Sequence, residues 1–177
     1  MKKLLVIIDM QNDFITGALG SNAALDILPI AIDKIKNWHG DIAYTKDTHY
    51  SDYLDTNEGK HLPIPHCIYN TFGWELRPEI KKAILDSNNN HGGIIHGEKK
   101  NYFGSLDLAN WIAGMKYDYI EIMGLCTDIC VISNALYIKA FNPQAEVKVV
   151  ANCCAGSTIE AHKEALDIMQ NCHIDII

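Results

Sequence analysis

Tyr119-Ile120-Glu121-Ile122-Met123-Gly124-Leu125-Cys126-Thr127-Asp128-Ile129-Cys130-Val131 is the stretch whose reading decides the fold. Tyr119–Met123 is an apolar run of strand length. From Thr127 the apolar positions change to helical spacing and hold it to Phe141, just before Pro143. A strand that passes straight into a helix is half of a βαβ unit. Cys130 is then expected in the first turn of that helix, where unpaired N–H groups and the helix dipole stabilise a thiolate. The carboxyl end of a strand is where an α/β protein places a nucleophile. A lone cysteine is more often buried and inert, so the functional reading depends on the rest of the chain.

Outward from this stretch, short apolar runs alternate with helical patterns. Strands are expected at Leu4–Ile8, Ile42–Thr45, Gly93–His96, Val147–Ala151 and Ile174–Ile177. Such runs suit strands covered on both faces. Helices are expected at Ala23–Trp38 after the capping pair Ser21-Asn22, Pro78–Leu85 with proline in its first turn, Leu106–Met115 after Ser105, and Thr158–Cys172 after Ser157. Ile129, Ile132, Leu136 and Ala140 mark the expected inner face of Thr127–Phe141. Ala161, Ala165, Ile168 and Met169 mark that of Thr158–Cys172, and Asn88-Asn89-Asn90 reads as a surface turn. The alternation predicts an α/β fold: a doubly wound, mostly parallel six-stranded sheet with helices on both faces, in one domain over residues 1–177.

The 177 residues are 48% hydrophobic and 21% charged, an ordinary globular profile. A formal net charge of −7 argues against non-specific binding to nucleic acid or an anionic membrane surface. No apolar run approaches the roughly 20 residues of a membrane span. Lys2-Lys3 before Leu4–Ile8 resembles the start of a signal peptide, but Asp9 interrupts the run too early, so a cytoplasmic location is expected. Six cysteines without a Cys-x-x-Cys pair do not form a disulfide scaffold.

Three residues of catalytic type stand at expected strand ends: Asp9 after the first strand, Lys99 after the third and Cys130 after the fourth. In a doubly wound sheet they can meet in one crevice. A carboxylate can take a thiol proton, and an ammonium can keep both the acid and the thiolate ionised. Taken singly, Asp9 could equally be a helix cap and Lys99 a solvated surface residue. The stretch Asp47–Phe72 is too long and too aperiodic for an ordinary connection. It offers Asp47, His49, Glu58, His61 and His66. Asp-x-His on an extended segment puts both side chains on one side. Two imidazoles with carboxylates suit one divalent ion: zinc, with iron and manganese as alternatives.

These segments resemble the isochorismatase-like cysteine hydrolases, and among them the nicotinamidases, from Lys3 to about Cys172. Asp9-Met10-Gln11-Asn12-Asp13-Phe14 resembles the family's opening motif, Lys99 with Tyr102 its lysine segment, and Gly124–Val131 its nucleophile motif. The resemblance implies a Rossmann-type three-layer fold with Asp9, Lys99 and Cys130 as catalytic residues. It also implies a cis Leu125–Cys126 peptide, an oxyanion hole from the Cys126 and Cys130 amides, and a pocket that includes Phe14 and Tyr102. It assigns the metal to Asp47, His49, Glu58 and His66, with Pro65-His66-Cys67 as the family's Pro-His-Cys turn, and leaves His61 out. Leu62-Pro63-Ile64 stands where the family carries an aromatic residue, and Phe103-Gly104-Ser105-Leu106 is shorter than usual. Tyr69 and Trp74 are alternative stacking residues or core. True isochorismatases lack the cysteine at position 130.

The implied activity is cleavage of a small carboxamide through a thioester, nicotinamide giving nicotinate and ammonia. Another small amide or a ureido compound is the alternative within the class. Outside it stands a non-catalytic or redox-sensing protein working through Cys126, Cys130, Cys153 and Cys154. The implied partner is a small molecule, with self-association into a homo-oligomer left open.

Overall fold

The computed structural model describes residues 1–177. Strand β1 (Lys3–Ile8) is followed by the short α1 (Asn12–Ile15), α2 (Asn22–Lys36) and β2 (Asp41–Asp47). A long loop contains a 3-10 turn at Tyr53–Asp55 and the one-turn helix α3 (Asn57–His61). Then come α4 (Pro78–His91), β3 (Ile95–Lys100), α5 (Leu106–Met115) and β4 (Tyr119–Leu125). A single π-type turn (Thr127–Val131) leads into α6 (Ile132–Phe141), β5 (Glu146–Ala155), α7 (Ile159–Asn171) and β6 (Asp175–Ile176).

The six strands form one sheet in the order β3-β2-β1-β4-β5-β6, and every pairing is parallel. Helices α2 and α4 pack together on one face, and α5, α6 and α7 on the other. Strand β1 is central, and Leu4, Leu5, Val6, Ile7 and Ile8 have no solvent exposure. An all-apolar strand of this kind can only sit in a sheet covered on both sides. The chain winds outward from β1 in both directions, so the strand order reverses between β1 and β4. Ligands bind in the crevice beyond the carboxyl ends at such a reversal.

Two local irregularities aim residues into that crevice. The β4–β5 register shifts between Ile122 and Gly124, and Gly124 has φ 128°. A side chain there would collide with the backbone of β1, since an added Cβ would stand 2.0 Å from the Ile8 carbonyl oxygen. The Leu125–Cys126 peptide is cis.

Several elements depart from the sequence expectations. Strand β3 is Ile95–Lys100, where Gly93–His96 was expected. Its polar composition, Ile-His-Gly-Glu-Lys-Lys, reflects an edge strand that need not be apolar. Asn88-Asn89-Asn90 is the last turn of α4, which ends at Gly92 with a positive φ of 70° that glycine adopts at little cost. The expected helix at Thr127 opens with the π turn, which holds one extra residue. That residue rotates the buried face by one position. Val131, Ala135 and Ile138 are buried, whereas Ile129, Ile132 and Leu136 are half-buried and Ala140 is exposed. In α7, Ala165 and Met169 face inward as expected, but Ile168 is exposed. Ser21, Ser105 and Thr158 cap α2, α5 and α7, each accepting a hydrogen bond from a first-turn amide. No helix is long and apolar enough to cross a membrane.

Candidate active site and metal centre

Beyond the carboxyl ends of β1, β2 and β4 lies a cavity of about 410 Å³. Asp47, His66, Cys130, Phe14, Phe103 and Ile129 are among its lining residues. Asp9 follows β1 with no exposure and with its backbone in the left-handed region at φ 48°. An aspartate tolerates that region better than most residues, and such strain persists only where the surroundings enforce it. Here Thr45 enforces it from β2. Its hydroxyl accepts from the Asp9 amide at 3.1 Å and donates to Asp9 Oδ1 at 2.6 Å.

The ammonium beside Asp9 belongs to Lys100. Its Nζ lies 2.7 Å from Asp9 Oδ2, 3.4 Å from Asp47 Oδ1 and 3.6 Å from Cys130 Sγ. Lys99, the expected lysine, points to the other side of β3, with its Nζ 5.1 Å from the centre of the Tyr69 ring. The cause is the strand itself. Because β3 runs through Lys100, alternate side chains point to opposite sides, and only one of two adjacent lysines can face the crevice. A corresponding correction applies one turn on. Tyr102 is 60% exposed and away from the cavity, whereas Phe103 lines it. Phe14 lies where expected, in the cavity wall. Tyr69 is exposed, and Trp74 is core, donating its indole N–H to Thr48 Oγ1 at 2.9 Å.

Burial and the close charges together set the protonation of this group. Burial raises the Asp9 carboxyl, against the lowering effect of Lys100. It would also depress Lys100, but Asp9, Cys130 and Asp47 outweigh it and hold the ammonium charged well above the ordinary lysine range. Burial raises the Cys130 thiol well above its usual value, and Lys100 offsets only part of this. The resting group is therefore a thiol beside a carboxyl with raised proton affinity, rather than the helix-stabilised thiolate expected from sequence. Cys130 also lies inside the π turn instead of in the first turn of a regular α-helix.

Asp47, His49, Glu58 and His66 converge on one point beside this triad, with one potential ligand atom from each within 4.8 Å of the others. His49 Nε2 lies 2.9 Å from Asp47 Oδ2 and 3.5 Å from Glu58 Oε1. His66 Nε2 lies 3.5 Å from Asp47 Oδ2, and its Nδ1 meets the Ile64 carbonyl at 2.8 Å, which fixes the ring. His49 Nε2 is buried, yet it is out of hydrogen-bond alignment with any partner. A buried nitrogen left in this state, facing two carboxylates and a second imidazole, fits a divalent cation. Burial would raise Asp47, but Lys100 and the two histidines outweigh it and hold that carboxyl far below the usual range. His61 stays out of the group, exposed, with its Nδ1 on the Asn57 carbonyl at 2.8 Å.

Sequence reasoning missed the residues that fix these groups in place. Gln11 is fully buried. Its Oε1 accepts from the Asp47 amide at 2.7 Å, and its Nε2 donates to the carbonyls of Asp47 (2.9 Å) and Trp74 (2.8 Å). Asn12 Nδ2 donates to the Phe72 carbonyl at 2.8 Å, and Asp13 Oδ2 accepts from the Cys67 amide at 2.7 Å. Three consecutive residues shortly after β1 thus hold the start of the long loop at Asp47 and its end at Cys67 and Phe72. Asn134 does the same for the turn that carries Cys130, donating to the carbonyls of Cys130 (2.8 Å) and Phe103 (3.0 Å). The available signal was the run of polar residues Gln11-Asn12-Asp13 straight after a wholly apolar strand.

A family model described as the isochorismatase domain matches residues 3–177. The chain is 25% identical to the nicotinamidase/pyrazinamidase of Mycobacterium tuberculosis over 189 residues, spanning 99% of this chain and 98% of that one. It superposes on the crystal structure of the nicotinamidase/pyrazinamidase from Bacillus subtilis with a TM-score of 0.83 at 26% identity, over 99% of both chains. A pyrazinamidase of Pyrococcus horikoshii, solved in complex with zinc, matches with a TM-score of 0.76 at 25% identity, over 100% of this chain and 99% of that one.

Proposed function

The chain belongs to the isochorismatase family, and from that premise we propose that it is a metal-dependent cysteine amidohydrolase that converts nicotinamide to nicotinate and ammonia. The observation that carries this reading is the meeting of two groups in one cavity: a buried Asp9–Lys100–Cys130 triad and the Asp47, His49, Glu58 and His66 cluster. The triad supplies acyl-transfer chemistry. The cluster gives the site a means of recognising a ring nitrogen.

In this reading Cys130 Sγ attacks the carboxamide carbon while its proton passes to Asp9, whose raised proton affinity suits it as acceptor. The amides of Cys126 and Cys130 receive the developing oxyanion. Asp9 returns the proton to the departing nitrogen, ammonia leaves, and a thioester on Cys130 remains. Asp9 then takes a proton from water, which attacks the thioester; collapse releases the carboxylic acid, and Asp9 returns the proton to the departing sulfur, restoring the thiol. Lys100 stays charged throughout and stabilises the thiolate as it forms. Asp47, His49, Glu58 and His66 would hold zinc, and the ion would supply a Lewis acid for the lone pair of the pyridine nitrogen. Phe14 and Phe103 would bracket the ring. Free cysteines at all six positions suit the reducing cytosol as the working compartment.

Ammonia release from nicotinamide, beside a panel of small amides and ureido compounds, tests the assignment. Turnover of a ureido compound alone would overturn it. Chelation of the purified protein, or His49→Ala, is expected to raise KM for nicotinamide by about ten-fold or more and to leave KM for benzamide, which has no ring nitrogen, little changed. Equal effects on the two substrates would remove ring recognition from the role of the metal.

A further inference from the structure

The turn that carries Cys130 is tied to the start of α7 by three hydrogen bonds that none of the chemistry above uses. Thr127, with no solvent exposure, shares a hydrogen bond of 2.8 Å between its Oγ1 and His162 Nδ1. Asp128, the next residue, accepts from the Ser157 amide at 2.8 Å and the Ser157 hydroxyl at 2.5 Å. Both tethers converge on Gly156, where an added Cβ would stand 2.8 Å from His162 Cβ and 2.9 Å from Asp128 Oδ1. Gly156 and Ser157 line the same cavity as Cys126 and Cys130.

Helix capping does not account for these bonds. Thr158 already caps α7 by accepting from the Ala161 amide. At the nucleophile turn the capping position is Cys126, which makes no side-chain cap bond. Thr127 and Asp128, residue types that ordinarily cap the helix they begin, both reach across to another element. Burial lowers the proton affinity of His162 against the pull of Asp128. That favours a neutral ring, whose Nδ1 can accept from the Thr127 hydroxyl.

We propose that His162 is a positioning residue for the nucleophile: through Thr127, and beside the Ser157–Asp128 bond, it fixes the turn so that Cys130 Sγ stays within reach of Lys100 and Asp9. This rests on the reading of Cys130 as nucleophile. Loosening the turn moves the sulfur away from the ammonium that stabilises its thiolate, which slows attack without weakening substrate binding.

The test compares Thr127→Val, His162→Leu, the double variant and His162→Asn, all metal-loaded. Misplacement of a reacting group by a fraction of an ångström is expected to lower kcat about ten-fold in each single variant, with KM changed less than about two-fold. The double variant should be no worse than the poorer single one, because both changes break one bond. His162→Asn, whose amide can still meet Thr127, should restore most of the turnover. Alkylation of Cys130 by iodoacetamide, followed on its peptide by mass spectrometry, should slow in step with kcat. Unchanged kcat in His162→Leu, multiplicative losses in the double variant, or no recovery in His162→Asn would each overturn the proposal. If the unaltered protein leaves nicotinamide intact, the substrate reading fails and the alkylation rates alone decide. Equal rates in the unaltered protein and both single variants would then overturn the proposal.

Discussion

Cys130→Ala is expected to leave a folded protein whose turnover of nicotinamide is lower by about 10⁴-fold or more, as when other covalent nucleophiles are removed. In the proposed mechanism Cys130 alone forms the thioester. The fold survives because the change removes one atom from a small side chain, a cost on the order of 1 kcal/mol. Lys100 keeps its contacts to Asp9 and Asp47. Cys126→Ala is the matched control. In the proposed mechanism only its backbone amide is used, and burial pushes its thiol up to about 12 with no neighbouring cation to offset it, unlike Cys130 beside Lys100. Equal loss in the two variants would point to a dithiol mechanism and revive the redox alternative. Steady-state ammonia release, with melting temperature as the check on folding, decides between them.

The second large effect is expected at Lys100. Lys100→Met removes a cation that lies between two buried carboxylates. Leaving such charges unpaired costs about 3–5 kcal/mol, so both melting temperature and turnover should fall. Pairing it with Asp9→Asn separates the two losses. With one buried charge gone from each side, the double variant should regain part of the stability but none of the activity, since no proton acceptor remains. Asp9→Asn alone is expected to lower kcat by about 10²-fold or more. Lys99→Ala should change stability by no more than about 0.5 kcal/mol, as for other exposed positions, and leave kcat unchanged. Loss of turnover in Lys99→Ala with full activity in Lys100→Met would reverse the assignment made from the geometry.

The two lysines show where sequence reasoning succeeds and where it fails. The central strands were legible because burial on both faces makes them wholly apolar. Asp9 and Cys130 were legible because each stands at the clear end of such a strand. Strand β3 lies at the sheet edge, and nothing in Ile95–Lys100 obliges it to be apolar. Its end therefore could not be read from hydrophobicity, and an error in that end selects the wrong one of two adjacent lysines. The family resemblance was matched with the same offset of one residue, which placed Tyr102 in the pocket where Phe103 stands. The π turn had a similar effect on α6, since one residue added to a turn is invisible in composition yet rotates every later side chain. The gathering of Asp47, His49, Glu58 and His66 was foreshadowed by residue type, which also offered His61, and the family resemblance narrowed it to these four. Gln11, Asn12, Asp13 and Asn134 were not, because their role is to satisfy backbone groups that are brought near only when the chain folds.

The attachment of the long loop to Gln11, Asn12 and Asp13 has a consequence for how the molecule opens. Loops ordinarily breathe on their own, at a small fraction of the free energy of global unfolding. This one is pinned at both ends. Asp47 at its start, and Cys67 and Phe72 near its end, are held by side chains that closely follow the central strand. Opening it means detaching the segment just after β1, and so disturbing Asp9 as well. The two ends of the long loop and the segment that carries Asp9 are thus coupled. Amides around Cys67 should exchange with solvent on the timescale of the sheet, not that of a surface loop.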